Sequence, residues 1–198
     1  MKIVCFGDSL TEGDYGVFGK SGIANVQKEN YPYFLSKELA CEVVNRGHCG
    51  FRPSASLERF RAGEDPAGAD VILLLLGTNG GLDPDADTAE NAAYLTLLDE
   101  LAEAAPNAAL VLLTPPHATS NPAFSNCGYA PQAEKAAAFV RAVAAAKGLP
   151  LVDLAACPAF TAETEAVYQA NDGLHFVEAG YRVMASFIAA ELRKLSVI

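Results

Sequence analysis

Three residues near opposite ends of the chain have the side chains that acyl transfer requires. Ser9 lies in the stretch Gly7-Asp8-Ser9-Leu10, whereas Asp172 and His175 lie three residues apart near the other end. A neutral imidazole can take the proton of a serine hydroxyl near pH 7, which makes that hydroxyl a nucleophile toward a carbonyl carbon. A carboxylate on the other ring nitrogen fixes the tautomer and stabilises the imidazolium. The pattern predicts Ser9 as nucleophile, His175 as base and Asp172 as its partner.

Two further residues could stabilise the negative charge that a tetrahedral intermediate carries. Gly47 and Asn79 each follow a short apolar run of the sequence. The candidate donors are the backbone N–H groups of Ser9 and Gly47 and the side-chain amide of Asn79. A glycine allows its backbone to approach substrate closely, and an asparagine supplies an N–H without a charge of its own.

These residues have to be brought together by the elements around them. Apolar runs predict five strands, at 3–6, 42–46, 70–76, 109–113 and 151–154, and patterned segments predict helices at 31–40, 54–61, 87–104, 131–147 and 177–195. Strands that alternate with helices favour a parallel sheet in a three-layer α/β/α sandwich. The run 71–76 is apolar on both faces, which is typical of a central strand.

Parallel strands end at the same edge of a sheet, where open α/β folds bind their ligands. Ser9, Gly47 and Asn79 each follow a predicted strand and should meet at that edge. Asp172 and His175 precede the terminal helix and can fold onto it. The two segments 13–30 and 117–130 are predicted to be long loops, and aromatic residues in or near the loops (Tyr15, Phe18, Phe124, Tyr129 and Tyr168) could rim the site or pack the loops down.

Four blocks of this sequence resemble those of the SGNH/GDSL hydrolase family in order and spacing. They are Gly7-Asp8-Ser9-Leu10, Asn45-Arg46-Gly47, Gly77-Thr78-Asn79 and Asp172-Gly173-Leu174-His175. The resemblance implies a flavodoxin-like five-stranded parallel sheet of order 2-1-3-4-5. It also implies esterase or lipase chemistry through a serine acyl-enzyme. Carried over by position, it gives Ser9, Asp172 and His175 as the catalytic triad, and Ser9, Gly47 and Asn79 as the oxyanion hole.

Two positions depart from the family pattern. Gly80 stands where the family often has Asp, and Phe176 stands where it often has Pro or Leu. Neither change removes a catalytic atom, although both could alter local backbone geometry or pocket shape. The G-x-S-x-G elbow of α/β-hydrolases is absent from the sequence, which separates this chain from that fold.

Other interpretations of the same residues remain open. Ser9 alone could be a helix N-cap in a tight turn, and its loop could cradle a phosphate in a non-catalytic, flavodoxin-like binding module. An enzyme that has lost its activity is a third possibility. His48 is the rival base, although no carboxylate lies close to it in sequence. Asp8 is expected to bond loop amides, and Cys49 to be a passive thiol.

Length, charge and cysteine content indicate the domain organisation and limit the partners and cofactors that can be expected. The 198 residues are predicted to form a single domain, 1–198, and a net charge of −10 disfavours nucleic acid and anionic lipid surfaces. The five cysteines form no C-x-x-C and no zinc spacing, so no metal or cofactor is expected and a reduced compartment fits best. The start of the sequence resembles no signal peptide, and its longest apolar run is too short to span a bilayer, so we expect a cytoplasmic protein without membrane insertion.

The substrate class is the least determined of these predictions. A small-molecule carboxylic ester is expected, with a short acyl or acetyl group favoured, as on an acetylated carbohydrate or a small lipid ester. The sequence contains no added binding domain and no strongly hydrophobic lid segment, which favours short chains. The alternative is a lysophospholipase or thioesterase that acts on longer acyl chains. The sequence alone leaves the oligomeric state undetermined.

Overall fold

A five-stranded sheet organises the chain in a computed structural model, which describes residues 1–16 and 25–198. The strands are β1 (Lys2–Gly7), β2 (Glu42–Gly47), β3 (Val71–Leu75), β4 (Ala109–Leu113) and β5 (Leu151–Val152). All neighbouring strands are parallel, and their order is β2-β1-β3-β4-β5. The predicted flavodoxin-like sheet of order 2-1-3-4-5 is confirmed.

The helices also follow the predicted alternation with the strands. They are α1 (Ser9–Glu12), α2 (Tyr31–Leu39), α3 (Pro53–Arg61), α4 (Ala89–Ala104), α5 (Ala130–Lys147), α6 (Glu165–Tyr168) and α7 (Glu178–Lys194). In the described ranges, no helix combines the length and apolar character needed to cross a bilayer.

Two boundaries differ from the sequence-based expectation. α4 begins at Ala89 instead of residue 87, because Thr88 caps it: the Thr88 hydroxyl accepts the N–H of Asn91 at 2.9 Å. β5 ends at Val152 instead of continuing to residue 154. The next residue, Asp153, bonds the side chains of Thr114 and Arg141, and the chain then enters a short 3₁₀ turn.

Apolar side chains cover both faces of the sheet and create the three layers. Successive residues of a strand point to opposite faces, so Ile3 and Cys5 of β1 pack against α2 and α7, while Val4 and Phe6 pack against α3, α4 and α5. Every residue of β3 is buried, as predicted for a central strand covered on both sides. This packing fixes the carboxyl ends of the strands relative to one another.

Two glycines allow α1 to fold directly over that edge. Gly7 ends β1 and Gly47 ends β2, and the two are paired in the sheet register. A Cβ on Gly7 would lie 2.0 Å from Thr11 Oγ1, and one on Gly47 would lie 2.2 Å from the Glu12 backbone nitrogen. Since any side chain at either position would collide with α1, these glycines set the position of Ser9, the first residue of that helix.

Candidate active site

Ser9, His175 and Asp172 form a continuous hydrogen-bonded chain. Ser9 Oγ lies 2.9 Å from His175 Nε2, and His175 Nδ1 lies 2.6 Å from Asp172 Oδ2. All three residues are buried, with exposed fractions of 3%, 8% and 2%. The fold thus brings together a serine and a histidine that are 166 positions apart in sequence. The arrangement is that of a nucleophile, its base and the carboxylate that orients the base.

A tight turn aims the carboxylate of Asp172 at the imidazole. Its Oδ1 accepts the backbone N–H groups of Leu174 and His175, each at 3.0 Å, which leaves Oδ2 for His175 Nδ1. Gly173 completes the turn with φ +74°, and a Cβ there would lie 2.1 Å from Thr119 Cγ2. Asn126 Nδ2 also reaches Asp172 Oδ2, at 3.3 Å. The two ring nitrogens of His175 therefore face different partners.

Charge at this site favours a protonated imidazole and an ionised Asp172. Burial alone lowers the pKa of His175, but the hydrogen bond and charge of Asp172, with the charges of Asp14 and Asp8, raise it above the ordinary value. Burial alone raises the pKa of Asp172, but the hydrogen bond and charge of His175 and two backbone N–H groups lower it. The pair is thus suited to accept a proton from Ser9 and to hold it.

Asp8, and not Ser9, is the N-cap of α1. Asp8 Oδ1 accepts the backbone N–H of Leu10 at 3.0 Å. The interpretation of Ser9 as a capping residue is therefore wrong, and the serine hydroxyl is available to His175. Asp8 Oδ2 is buried without a hydrogen-bond partner in the described ranges, and burial raises the pKa of Asp8 to about 6, although the Leu10 N–H and Thr78 oppose that rise.

The side chain of Asn79 lies beside the turn that follows β2. Its Nδ2 donates to the backbone carbonyl of Phe51 at 3.0 Å, and the backbone carbonyl of Asn79 accepts Arg52 Nε at 3.0 Å. An amide nitrogen carries two hydrogens, so one N–H of Asn79 remains for a further acceptor. Asn79 is held by the segment that contains Gly47 and Gly50.

The N–H groups of that turn have different partners. Gly47 donates to Asn45 Oδ1 at 2.8 Å, His48 donates to the Gly7 carbonyl at 3.1 Å, and Cys49 donates to the carboxylate of Glu12. The Gly47 N–H, which the sequence predicted to face an oxyanion, is thus occupied by a side chain of its own strand.

Gly50 is the residue of this turn with an available donor. Within the described ranges its N–H makes no hydrogen bond, and no atom lies within 4 Å of the position that a Cβ would take. Its φ of +77° is in the left-handed region that favours glycine. The sequence did not identify Gly50 as a donor. What distinguishes Gly50 is its free N–H, and that N–H is the free one only because other groups accept the N–H groups of Gly47, His48 and Cys49.

The structure also adds two groups beside the imidazole that the sequence had not assigned to the site. Asp14 Oδ2 lies 3.8 Å from His175 Nε2, and the Cys49 thiol lies 3.7 Å from the same carboxylate oxygen. Burial, with the charges of Glu12 and Asp14, raises the pKa of Cys49 well above its ordinary value, so the thiol stays protonated. This agrees with the predicted passive role of Cys49.

His48, the rival base, makes its contacts elsewhere. Its Nε2 lies 2.9 and 3.0 Å from the two carboxylate oxygens of Glu64, and its ring lies 4.6 Å from that of Phe51. Glu64 is 16 positions from His48, so this pair does not conflict with the observation that no carboxylate lies close to His48 in sequence. Because Ser9 Oγ bonds His175 and not His48, the geometry favours His175 as the base.

The aromatic residues that could either rim the site or pack the loops down lie in several environments. Tyr15 stacks on Tyr181 at 5.5 Å between ring centroids, Tyr168 packs against Phe160, and Phe124 lies against the turn at Gly173. Phe18 lies outside the described residues. The contacts of Tyr15 and Tyr168 show that both rings pack the loops against the fold.

Titratable side chains of the described ranges form no group of three or more that could hold a metal ion.

Comparisons with known proteins agree with this geometry. The sequence profile of the GDSL-like lipase/acylhydrolase family matches residues 5–183. A comparison with curated proteins gives no match. Among solved structures, a lipase/acylhydrolase from Enterococcus faecalis is 25% identical with a TM-score of 0.71, and the alignment covers 98% of this chain and 96% of that one.

Two more distant structures share the fold. An aryl esterase of M. smegmatis is 19% identical with a TM-score of 0.74, over 100% of this chain and 99% of that one. A carbohydrate acetylesterase from Sinorhizobium meliloti is 16% identical with a TM-score of 0.73, over 98% and 99% of the two chains.

Proposed function

We propose, since this chain belongs to the GDSL-like lipase/acylhydrolase family, that it is a serine esterase that hydrolyses small carboxylic esters through an acyl-enzyme on Ser9. The observation that carries the proposal is the chain of contacts from Ser9 Oγ through both nitrogens of His175 to Asp172 Oδ2, at 2.9 and 2.6 Å. Both distances are within hydrogen-bonding range, which supports proton transfer along this chain of contacts.

Acylation begins when Ser9 Oγ attacks the ester carbonyl carbon and its proton passes to His175 Nε2. The carbonyl π electrons move to the oxygen, which becomes an oxyanion. When the intermediate collapses, the bond to the alcohol oxygen breaks, and His175 returns its proton to that oxygen. The alcohol leaves, and the acyl group remains on Ser9. Asp172 stays ionised throughout and stabilises the transient imidazolium.

Deacylation repeats these steps with water in place of Ser9. His175 Nε2 takes a proton from the water as it attacks the acyl-enzyme, and returns that proton to Ser9 Oγ as the carboxylic acid leaves. Both intermediates carry an oxyanion that needs N–H donors. We assign that role to the backbone N–H groups of Ser9 and Gly50 and to the second N–H of Asn79, and not to Gly47, whose N–H bonds Asn45.

The substrate proposed is an ester with a short acyl group, such as an acetyl ester of a carbohydrate or a small lipid ester. Polar groups lie near the reactive atoms, because Asp14 lies beside His175 Nε2, the Cys49 thiol lies against Asp14, and Asn126 reaches the carboxylate of Asp172. A long acyl chain needs apolar surface to leave water favourably, at roughly 25 cal/mol per Å². Polar surroundings therefore favour a short chain.

A serine-directed probe tests the nucleophile. We expect wild-type enzyme to hydrolyse p-nitrophenyl acetate in the presence of EDTA and to be labelled by a fluorophosphonate. Ser9→Ala should abolish both, because it removes the attacking oxygen and leaves the fold intact. Thr11→Ser, on the same helix, serves as the control and should retain labelling. Labelling that persists in Ser9→Ala would contradict the proposal.

A pair of histidine variants tests the base. His175→Ala should lose activity by a factor on the order of 10³ or more, because no other imidazole contacts Ser9 Oγ in the described ranges. His48→Ala should retain at least a tenth of wild-type kcat. The reverse order of the two effects would show that the base is misassigned.

A chain-length series tests the substrate class. We expect kcat/KM to fall from p-nitrophenyl acetate to the butyrate and octanoate, with acetylated sugars hydrolysed alongside. A rise toward octanoate would favour a lysophospholipase or a thioesterase over a short-chain esterase, while leaving the serine mechanism in place.

A further inference from the structure

A second carboxylate approaches the catalytic imidazole from the side opposite Asp172. Asp14 follows α1 and is buried, with an exposed fraction of 4%. Its Oδ2 lies 3.8 Å from His175 Nε2, the same nitrogen that faces Ser9 Oγ. This is the nitrogen that gains and loses a proton in the proposed mechanism, on which the present inference rests.

The orientation of the Asp14 side chain is fixed by its other oxygen. Oδ1 accepts the backbone N–H groups of Gly16 and Asn25, both at 2.9 Å. The main chain of Asp14 is also anchored, because its N–H donates to the Ser9 carbonyl at 2.9 Å and its carbonyl accepts Tyr181 Oη at 2.6 Å. Oδ2 is therefore directed toward His175, and its other neighbour is the Cys49 thiol.

We propose that Asp14 is a positioning residue that stabilises the protonated state of His175 from the Nε2 side. When the proton of Ser9 Oγ reaches Nε2, the imidazolium lies between two carboxylates, with Asp172 on Nδ1 and Asp14 beside Nε2. The proton then moves to the leaving alcohol oxygen, and Asp14 returns to facing a neutral ring. Asp14 neither forms nor breaks a covalent bond in this sequence.

The charges that face His175 determine the sign of the effect. Asp172 lies in the same loop as His175, Asp14 lies in the segment after α1, and Asp8 directly follows β1. The Cys49 thiol, from the turn after β2, is protonated and adds no charge. Burial opposes the protonated ring and the three carboxylates favour it, so loss of the Asp14 charge should lower the pKa of His175.

Asp14→Asn is the matched variant for the test. Asparagine keeps the Oδ1 acceptor for Gly16 and Asn25, and replaces only the charged Oδ2 by an amide nitrogen. An opposite charge within about 4 to 6 Å shifts a pKa by roughly one to three units. We expect the acid limb of the kcat/KM profile for p-nitrophenyl acetate to move to lower pH by about one unit. The plateau should fall several-fold, because a less basic imidazole is a weaker general base.

The His175 imidazole can be titrated by NMR independently of activity. Its proton signals, assigned by comparison with His175→Ala, should show the same downward shift of the pKa in Asp14→Asn. Asp99→Asn is the control, because it removes one exposed carboxylate, paired with Lys147 on the surface, and should move neither profile. An unchanged His175 titration in a folded Asp14→Asn enzyme would overturn the proposal.

A second variant leaves Asp14 in place and predicts a shift of the opposite sign. Cys49→Ala removes the thiol that donates to Asp14 Oδ2, which leaves that oxygen freer to stabilise the imidazolium. We expect the His175 pKa to rise by a few tenths of a unit. A fall would overturn the proposal even if Asp14→Asn did not fold. If wild-type enzyme shows no hydrolysis or labelling while the NMR shifts appear, the proposed function fails and the role of Asp14 stands.

Discussion

Replacing Asp172 by asparagine reverses the direction of one hydrogen bond while the turn keeps its shape. Asp172 Oδ1 would continue to accept the N–H groups of Leu174 and His175 as an amide oxygen. An NH₂ group would then stand where Oδ2 now lies, 2.6 Å from His175 Nδ1. Since an amide NH₂ only donates, Nδ1 must become the acceptor and Nε2 must carry the ring proton. That tautomer cannot take the proton of Ser9.

The size of this effect depends on which form of the imidazole remains available. The same change in a serine-protease triad lowers kcat by about 10⁴ through the wrong tautomer, which corresponds to about 5 kcal/mol of transition-state stabilisation. We expect Asp172→Asn to lower kcat for p-nitrophenyl acetate by about that factor, with KM changed less than threefold, because no group that faces the substrate is altered. Fluorophosphonate labelling should slow in parallel, since it uses the same activated hydroxyl.

The assay combines steady-state hydrolysis, labelling rate and thermal unfolding of the same preparations. Asp99→Asn again provides an Asp-to-Asn change at the surface and should behave as wild type. A folded Asp172→Asn enzyme that keeps kcat within tenfold of wild type would refute the reasoning, because the imidazole tautomer would then not depend on Asp172. A loss of activity accompanied by a large fall in Tm would instead indicate that the turn itself had failed, and the tautomer would then be read from ¹⁵N shifts of the His175 ring.

Single contacts give three further predictions. Asn79→Ala should lower kcat by on the order of 100- to 1000-fold with little change in Tm, as the loss of one oxyanion donor does. Gly47→Ala should destabilise the fold, seen as a lower Tm, because its Cβ would lie 2.2 Å from the Glu12 nitrogen; Gly50→Ala meets open space but is strained at a φ of +77°, so it should lower Tm less than Gly47→Ala does, and it should also lower kcat by shifting the free N–H. Burial raises the pKa of Asp8 from 3.8 to about 6, so the stability that protonated Asp8 contributes should be lost as pH rises from about 4 to 7. In urea unfolding, the free energy of unfolding of Asp8→Asn should increase relative to that of wild type over that range, by on the order of 3 kcal/mol.

The sheet and the triad were predictable because both depend on strong local signals. A fully apolar strand such as Val71–Leu75 can be stable only between two layers of helices, and parallel strands bring the residues after them to one edge of the sheet. Ser9 lies two residues beyond the end of β1, so its place was fixed by the strand. His175 was predictable because it lies just before the last helix, and Asp172 because a three-residue spacing with glycine allows both contacts of an Asx turn.

The N–H that stays free in the turn after β2, which we propose as an oxyanion donor, could not be chosen from the sequence, and the reason is physical. Which N–H of the turn stays free depends on the side-chain acceptors around it: Asn45, in β2, accepts the N–H of Gly47, and Glu12, in α1, accepts the N–H of Cys49. Pattern and spacing carry no information on that competition. Positions 47 and 50 are both glycine, for different reasons. At Gly47 the absence of a side chain lets α1 pack closely, and at Gly50 it permits a positive φ.

The short helix α1 supports both the residues proposed for proton transfer, Ser9 and His175, and the turn that contains Gly50. Asn45 Nδ2 donates to the carbonyl of Thr11 at 2.7 Å and Glu12 accepts the Cys49 N–H, so the turn that presents Gly50 is tied to α1. The segment that leaves α1 carries Asp14 to His175 Nε2, while the first residue of α1 is Ser9. A displacement of α1 would move the nucleophile, the free N–H and the second carboxylate together. The steric requirement for glycine at position 47 therefore also supports the proposed catalytic arrangement, because it keeps α1 in place, while the Gly47 N–H itself bonds Asn45.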